Sequence, residues 1–231
     1  MAFTTSSPPV PRNQPATVTS TEPRATPTHG PGGSFSIISS ASIAAPPTTV
    51  ASVIFDHAAW PEWNTWIPRC TVTSSPSLPS SDNTQHNSPF HDPKYIQPGA
   101  KLTIKVHLDP ARSWTNSDQS MDVTLLEPFT VESGAAPGGN ADDTASSTNK
   151  GWRIAWKQTS TPAMLLRTER VQEMVDDGRG GTEYTCWETM YGPLASVVRL
   201  TTGAMLEKGF QQWTDDLKTR AETLAAAEGP R

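Results

Sequence analysis

Apolar and polar residues alternate in short runs through most of the chain after residue 33, and this period of two is typical of half-buried β-strands. The clearest run is 101–108, in which Leu102, Ile104 and Val106 share one face while Lys101 and Lys105 share the other. The same pattern predicts seven strands, at 34–43, 69–74, 101–108, 121–126, 152–157, 164–175 and 182–190.

Helical patterns follow the first strand and close the chain. Pro46 and Pro47 favour a helix start, so a short helix is predicted over 48–55 and a second one over 60–68. From 193 to about 227 the apolar residues recur with the period of a helix, and about 30 residues would span about 45 Å. A helix of that length has to pack across the sheet, and Gly203 and Gly209 inside it predict a bend or a close approach.

The order of these elements predicts an α+β fold, in which one long helix packs on an antiparallel sheet. Residues 1–33 are predicted to be disordered, because seven prolines among Thr and Ser leave few apolar side chains to bury. The folded domain is predicted to span 34–227, with polar insertions at about 75–99 and 132–150.

Charge narrows the range of partners. The formal net charge is −5 and no Lys/Arg cluster is present, which argues against nucleic acid and anionic membranes. No apolar run is long enough to form an integral membrane segment. We therefore expect a soluble, cytoplasmic protein, with a monomer favoured. Arg12 and Arg24 leave mitochondrial targeting as a minor alternative.

The sequence predicts neither a metal site nor a cofactor. Cys70 and Cys186 lie far apart and match no metal-binding or CxxC spacing, so we expect reduced thiols, with Cys186 a small core residue. The five histidines form no metal spacing either. Phosphate-loop, dinucleotide-binding and Gly-x-Ser-x-Gly motifs are absent from the sequence.

Several short motifs occur in a characteristic order, and they are Ala44–Pro47, Trp60–Asn64, Gly181–Glu188, Gly192–Leu194 and Gly209–Leu217. In these motifs the chain resembles the SRPBCC superfamily of START-like helix-grip proteins, which includes START domains, birch-pollen-allergen-like proteins, polyketide cyclases and coenzyme Q-binding proteins. The resemblance implies a curved seven-stranded sheet wrapped around the long C-terminal helix, two short helices after the first strand, and a cavity for an apolar small molecule.

Strand 182–190 is predicted to contribute one face to that cavity. Tyr184, Cys186, Glu188 and Met190 alternate with the outward-facing residues of this strand, and we take the first set as inward. Each aromatic member of the predicted lining has core packing as its alternative role. The residues predicted to bind the ligand are Trp60, Trp63, Trp66, Ile104, Val106, Tyr184, Cys186, Met190, Met205, Phe210 and Trp213.

Three side chains are candidates for acid–base chemistry. Glu188 and Glu169 could exchange protons with a bound compound, and Tyr184 could orient its carbonyl group through the phenol. The alternative for each glutamate is a structural ion pair with Arg167, Arg170 or Arg199, and the alternative for Tyr184 is packing.

The resemblance and these residues leave two main hypotheses open. One is a protein that binds or carries a lipid, isoprenoid, sterol or polyketide-like molecule. The other is a polyketide or terpenoid cyclase, dehydratase or isomerase that uses a cavity carboxylate and a tyrosine as acid and base. A regulatory module that signals ligand occupancy to another protein through the N-terminal tail or the polar insertions is a third possibility.

Overall fold

A computed structural model describes residues 10–76, 89–108, 116–132 and 148–229. It contains eight strands and three α-helices, with a single 3-10 turn at His57–Ala59. The strands are β1 (Thr17–Thr19), β2 (Phe35–Ile43), β3 (Arg69–Ser74), β4 (Lys101–His107), β5 (Asn116–Glu132), β6 (Thr148–Gln158), β7 (Arg167–Asp176) and β8 (Thr182–Tyr191). The helices are α1 (Pro47–Phe55), α2 (Trp60–Trp63) and α3 (Ala195–Glu228).

All eight strands form one antiparallel sheet in the order β1-β2-β8-β7-β6-β5-β4-β3. The sheet is curved and α3 packs against it, which confirms the predicted α+β architecture. The structure has one strand more than the seven predicted, because β1 lies in the segment that was predicted to be disordered.

Helix α3 is held against the sheet by one face. Its 34 residues span about 51 Å. Phe210, Trp213 and Leu217 are buried along this face, and Thr214 shares a 2.9 Å hydrogen bond with Ser39 of β2. The apolar stripe read from the sequence is therefore the face that closes the core.

Gly209 lets a large ring approach this helix. A Cβ atom at this position would lie only 2.1 Å from a ring carbon of Trp66, so no residue with a side chain fits there without a shift of the indole. The sequence predicts a close approach of the helix glycines to the sheet, but the neighbour of Gly209 is Trp66, in the segment between α2 and β3.

The N-terminal segment differs from its prediction. Residues 10–33 are not disordered: β1 pairs with β2 at the edge of the sheet, and residues 24–28 lie on its outer face. The Trp187 indole donates to the backbone oxygen of Ala25 at 3.1 Å, and the Thr189 hydroxyl donates to that of Arg24 at 2.7 Å. Side chains of the sheet thus hold the segment through hydrogen bonds. A prediction based on the few apolar residues of the segment does not take these bonds into account. Residues 1–9 lie outside the described residues.

Three boundaries also differ from prediction. Strand β5 runs over 116–132 rather than 121–126, with a register shift between Val123 and Leu125. Strand β6 begins at Thr148, within the predicted loop 132–150. The second short helix covers only 60–63, because the Asn64 side chain accepts the backbone N–H of Ile67 at 2.8 Å and turns the chain. Residues 77–88 and 133–147 of the two predicted insertions lie outside the described residues.

No helix within the described ranges is long and apolar enough to cross a membrane.

Candidate functional site

A cavity of about 280 Å³ lies between the inner face of the sheet and the first half of α3. The segment that follows α2 closes one side of it through Trp66 and Ile67. Most of the wall is apolar, and its aliphatic side chains include Ile104, Val106, Met121, Met190, Val198 and Leu206. Ile104, Val106, Met190 and Trp66 were predicted as ligand-binding residues, and the structure places all four in this wall.

An ion pair interrupts this apolar wall. Arg170 of β7 and Glu188 of β8 lie directly opposite each other in the sheet register, and both line the cavity. The Glu188 Oε2 atom is 3.1 Å from Nη2 and 3.2 Å from Nε of Arg170. The arginine side chain is only 5% exposed and the glutamate side chain 14% exposed. This is the ion pair that the sequence left as the alternative role of Glu188.

Aromatic rings hold the guanidinium in place. Its central carbon lies 4.2 Å from the ring centre of Phe210 and 4.7 Å from that of Trp66, with Trp213 further away at 5.6 Å. Such contacts favour a cation over the ring faces and fix its orientation. The Nη1 atom of Arg170 is nevertheless buried without a hydrogen-bond partner. This donor is enclosed by the protein, and no atom of the described residues accepts from it.

Trp66 separates this cavity from a second one. The second cavity has a volume of about 300 Å³ and lies between α3 and the end of β4, where Met205 and Gly209 contribute to its wall. Trp66 and Leu108 line both cavities. Met205, which was predicted to bind the ligand, thus lies in the second cavity rather than the first.

Tyr184 belongs to a closed hydrogen-bonded network rather than to the wall of the cavity that holds the ion pair. Its hydroxyl donates to Gln172 Oε1 at 2.6 Å and accepts from the Trp213 indole at 2.9 Å. Burial raises the pKa of Tyr184 well above its ordinary value, so the phenol stays protonated. The protein uses the hydroxyl proton and one lone pair of the oxygen, and the buried side chain is not part of the wall of this cavity.

The other predicted ligand residues pack beside the cavity. Trp60 and Trp63 stack edge-on against Trp213, with ring centres 5.2 and 5.3 Å away, and the Trp60 indole donates to the backbone oxygen of Ile54. Cys186 is fully buried, as predicted for a small core residue, and burial raises the pKa of its thiol to about 11. Burial likewise raises the pKa of the Cys70 thiol to about 12.

Glu169 lies on the opposite side of the sheet from the cavity, which corrects its prediction as a cavity carboxylate. Its neighbours Thr168 and Arg170 line the cavity, and alternation along β7 turns Glu169 outward. Its carboxylate accepts hydrogen bonds from the backbone N–H and hydroxyl of Thr28 and from the hydroxyl of Thr124, at 2.8, 2.7 and 2.5 Å. Glu169 therefore anchors the N-terminal segment.

The comparisons with known proteins agree with this architecture. No protein-family model matches the chain. In sequence it is 28% identical over 197 residues to the oxopyrrolidines biosynthesis cluster protein O of Penicillium oxalicum, a match that spans 80% of this chain and 85% of that protein. In structure it is similar to the Zhui aromatase/cyclase of a Streptomyces species, with a TM-score of 0.55, 11% identity, and coverage of 85% of this chain and 98% of that one. A hypothetical protein from Helicobacter pylori gives a TM-score of 0.52 at 11% identity, with 80% of this chain and 86% of that one covered.

The fold is the START-like helix grip. Within this helix grip, the cavity lies between the first half of α3 and strands β4 to β8, and the ion pair sits on its sheet side. Sequence reasoning named Arg170 only as a possible ion-pair partner of a glutamate. Its position opposite Glu188 on the inward face of β7 is the signal that identifies it as a cavity residue.

Exposed apolar residues surround the helix-grip cavity where α3 begins. Met164 is 78% exposed on the loop after β6, and Leu200 is 88% exposed on the second turn of α3. The loop and the helix are joined by a 3.1 Å hydrogen bond from the N–H of Leu194 to the oxygen of Leu165. Leu166 and Val198, one from each element, line the cavity beside them. Large exposed apolar patches often mark ligand or partner sites, and this one borders the cavity.

The arrangement limits what chemistry the site can perform. No group of three or more metal-ligating side chains occurs among the residues that the structure describes. The cavity offers one cation that donates hydrogen bonds, one carboxylate that accepts them, the polar side chains Gln119, Gln158, Thr161, Thr168 and Thr202, and otherwise apolar walls. These groups can orient an apolar molecule by one polar end, and the carboxylate can exchange a proton with that end.

Proposed function

We propose that this protein binds an apolar small molecule in the cavity between the sheet and α3, and orients it through an oxygen-bearing end group at Arg170. The observation that carries the proposal is a mainly apolar cavity whose wall holds one buried ion pair, Arg170–Glu188. Small-molecule sites are typically apolar pockets in which a few polar groups fix the orientation of the ligand.

The volume and walls of the cavity support a ligand of modest size. Small-molecule sites are typically clefts of about 300 to 1,000 Å³ with apolar walls and a few polar groups. The cavity of about 280 Å³ is near the lower end of that range, and its aliphatic wall suits a lipid, isoprenoid or polyketide-like body. The exposed apolar residues around Leu200 border the cavity, which suits the approach of such a body.

Binding is tested by filling the cavity. Val106→Trp places an indole into the space, whereas Lys105→Trp places one on the opposite face of the same strand and serves as the matched control. Native mass spectrometry of the protein purified from its own host should show a co-purifying apolar molecule in the wild type and in the control. That molecule should be absent from Val106→Trp. Retention of the same molecule by Val106→Trp would contradict the proposed location.

A second candidate function is catalysis of a cyclisation, dehydration or isomerisation of a polyketide-like or terpenoid compound. It is favoured by the position of Glu188, a carboxylate in the cavity next to a cation. The similarity in sequence to a biosynthesis cluster protein and in fold to an aromatase/cyclase supports it further. Tyr184, the predicted partner in catalysis, is occupied by Gln172 and Trp213, so Glu188 would act with Arg170 instead.

One substitution separates the two functions. Glu188→Gln keeps the size of the side chain and removes its ability to accept and release a proton. If the molecule identified by mass spectrometry is turned over by the wild type, and Glu188→Gln binds it with similar affinity but no longer converts it, the carrier function is refuted. If neither protein converts it, the carrier function stands.

A further inference from the structure

The two cavities of the helix grip meet at one aromatic ring. The first cavity, of about 280 Å³, carries the Arg170–Glu188 pair in its wall, and the second, of about 300 Å³, lies between α3 and the end of β4. Among the described residues, Trp66 and Leu108 are the two that line both. Their side chains therefore form the boundary between the cavities.

Packing fixes the Trp66 ring in this position. Its centre lies 5.5 Å from that of Phe210 and 4.7 Å from the guanidinium carbon of Arg170. On the side of α3, Gly209 has no Cβ atom, which would otherwise lie 2.1 Å from the ring. The backbone oxygen of Trp66 accepts the N–H of His107 at 2.8 Å, which ties the segment to β4. The side chain is thus held between sheet and helix, and only 4% of the residue is exposed.

The polar groups of the first cavity do not belong to this boundary. They are the Arg170–Glu188 pair and the side chains of Gln119, Gln158, Thr161, Thr168 and Thr202. The Gln158 amide donates to Gln119 at 3.2 Å and to Thr161 at 3.0 Å. Because Trp66 and Leu108 are apolar, the part of a ligand that reaches them is expected to be hydrocarbon.

We propose that Trp66 sets the length of the ligand, because the hydrocarbon end of a bound molecule stops at its ring. This inference rests on the proposed function, since it names the residue that decides which apolar molecules the first cavity accepts. The first cavity is near the lower end of the range for small-molecule sites, whereas the two together, at about 580 Å³, lie well within it. The ring therefore makes the protein selective for the shorter members of a homologous series.

The inference is tested by removal of the ring. The probes are the even-numbered 2-alkanones from 2-hexanone to 2-hexadecanone, which are neutral and differ only in chain length. The full-length protein is dialysed to equilibrium against their mixture, and gas chromatography with mass spectrometric detection gives the bound and free amount of each ketone. The affinity of each chain length follows from these amounts.

Trp66→Ala is the test variant and Trp63→Ala is its matched control. Both indoles are buried, and neither N–H has a hydrogen-bond partner among the described residues, so both substitutions remove packing without breaking a side-chain hydrogen bond. Trp63 lines neither cavity, and its ring packs against that of Trp213 at 5.3 Å instead. A general loss of packing should therefore affect both variants, whereas a change in the length limit should occur in Trp66→Ala alone.

In the wild type we expect the affinity to rise with chain length and to stop rising at a definite length. In Trp66→Ala it should continue to rise beyond that length, by about fourfold for each additional methylene group that is buried. Trp63→Ala should keep the wild-type limit. Met205 lines the second cavity and not the first, so Met205→Trp added to Trp66→Ala should fill the second cavity and restore the limit.

The other outcomes decide against the inference. The same limit in the wild type and in Trp66→Ala, or a longer limit in Trp63→Ala as well, would overturn it and leave the proposed function standing. If Trp66→Ala does not fold, Trp66→Leu replaces it, and an unchanged limit in that variant would be equally decisive. If no ketone binds to any of the proteins, the inference is overturned. The proposed function fails with it only if native mass spectrometry of the wild type also finds no co-purifying apolar molecule.

Discussion

The two faces of the sheet at β7 and β8 are both buried, but by different means. On the outer face, Glu169 and Trp187 are covered by residues 10–33 of the chain itself, and both are fully buried. On the inner face, one residue further along each strand, Arg170 and Glu188 border a cavity. The same two strands therefore carry a structural contact on one side and a candidate binding site on the other.

The hydrogen bonds distinguish the two faces more clearly than burial does. Glu169 accepts three hydrogen bonds from two threonines. Glu188 has one partner, and that partner keeps a buried donor unused. The bonds of Glu169 are those of a structural anchor, whereas Glu188 shares its cavity wall with a single cationic partner. Burial and charge alone would not tell the two glutamates apart, whereas their hydrogen bonds do.

Removal of the outer cover should have the largest effect. A chain that begins at Gly32 exposes Trp187 and strips Glu169 of its Thr28 bonds. Burial of one large side chain contributes about 1.5 to 3 kcal/mol and each lost hydrogen bond about 1 kcal/mol. We therefore expect the free energy of unfolding in urea to fall by about 4 kcal/mol or more. A chain that lacks only residues 1–9 is the control.

If the truncated protein does not fold, Thr28→Val in the full-length chain tests the same contact on a smaller scale. It removes the hydroxyl that bonds to Glu169 at 2.7 Å and keeps the backbone intact. Unchanged stability in both variants would show that the segment only rests on the sheet without stabilising it.

The next largest effect is expected for Glu169→Gln on the outer face of the sheet. Glu169→Gln replaces one acceptor oxygen by an N–H₂ group that faces the hydroxyl or N–H donors of Thr28 and Thr124, and we expect it to lower the unfolding free energy by about 1 to 3 kcal/mol. Because Glu169 lies outside the cavity, the retention of a co-purifying molecule in native mass spectrometry should not change at a temperature where the variant is folded. Loss of that molecule from folded Glu169→Gln would contradict the separation of the two faces.

Much of the fold could be predicted because it depends on local patterns. The alternation at Leu102, Ile104 and Val106, the prolines before α1 and the long helical stripe each determine one element with no knowledge of the others. The inward face of β8 could also be assigned, since Glu188 and Met190 line the cavity as predicted.

The errors at Glu169, at Arg170 and in residues 10–33 share one physical cause, which is the cover on the outer face. From Thr168 to Met174 every residue of β7 is buried, so polarity no longer indicates which residues point inward. Glu169 could then be taken for a cavity residue, and Arg170 could not be recognised as one. The cover itself was missed because residues 10–33 are held by bonds from Trp187, Thr189 and Glu169, which are distant in sequence.

The smallest effect that we predict concerns two glycines of α3, Gly203 and Gly209. Gly203→Ala meets no atom closer than Arg199 Cγ at 3.9 Å, so the gain in helix propensity should stabilise the protein by about 0.5 to 1 kcal/mol. Gly209→Ala has the same propensity gain, but the new methyl group falls 2.1 Å from the Trp66 ring. Overpacking costs about 1 to 3 kcal/mol, so we expect a net loss of about 1 kcal/mol in urea unfolding. Because the Trp66 ring, which separates the two cavities, lies against Gly209, only Gly209→Ala should alter the tryptophan fluorescence of the native protein. Equal effects of the two substitutions would show that the ring is not held against α3.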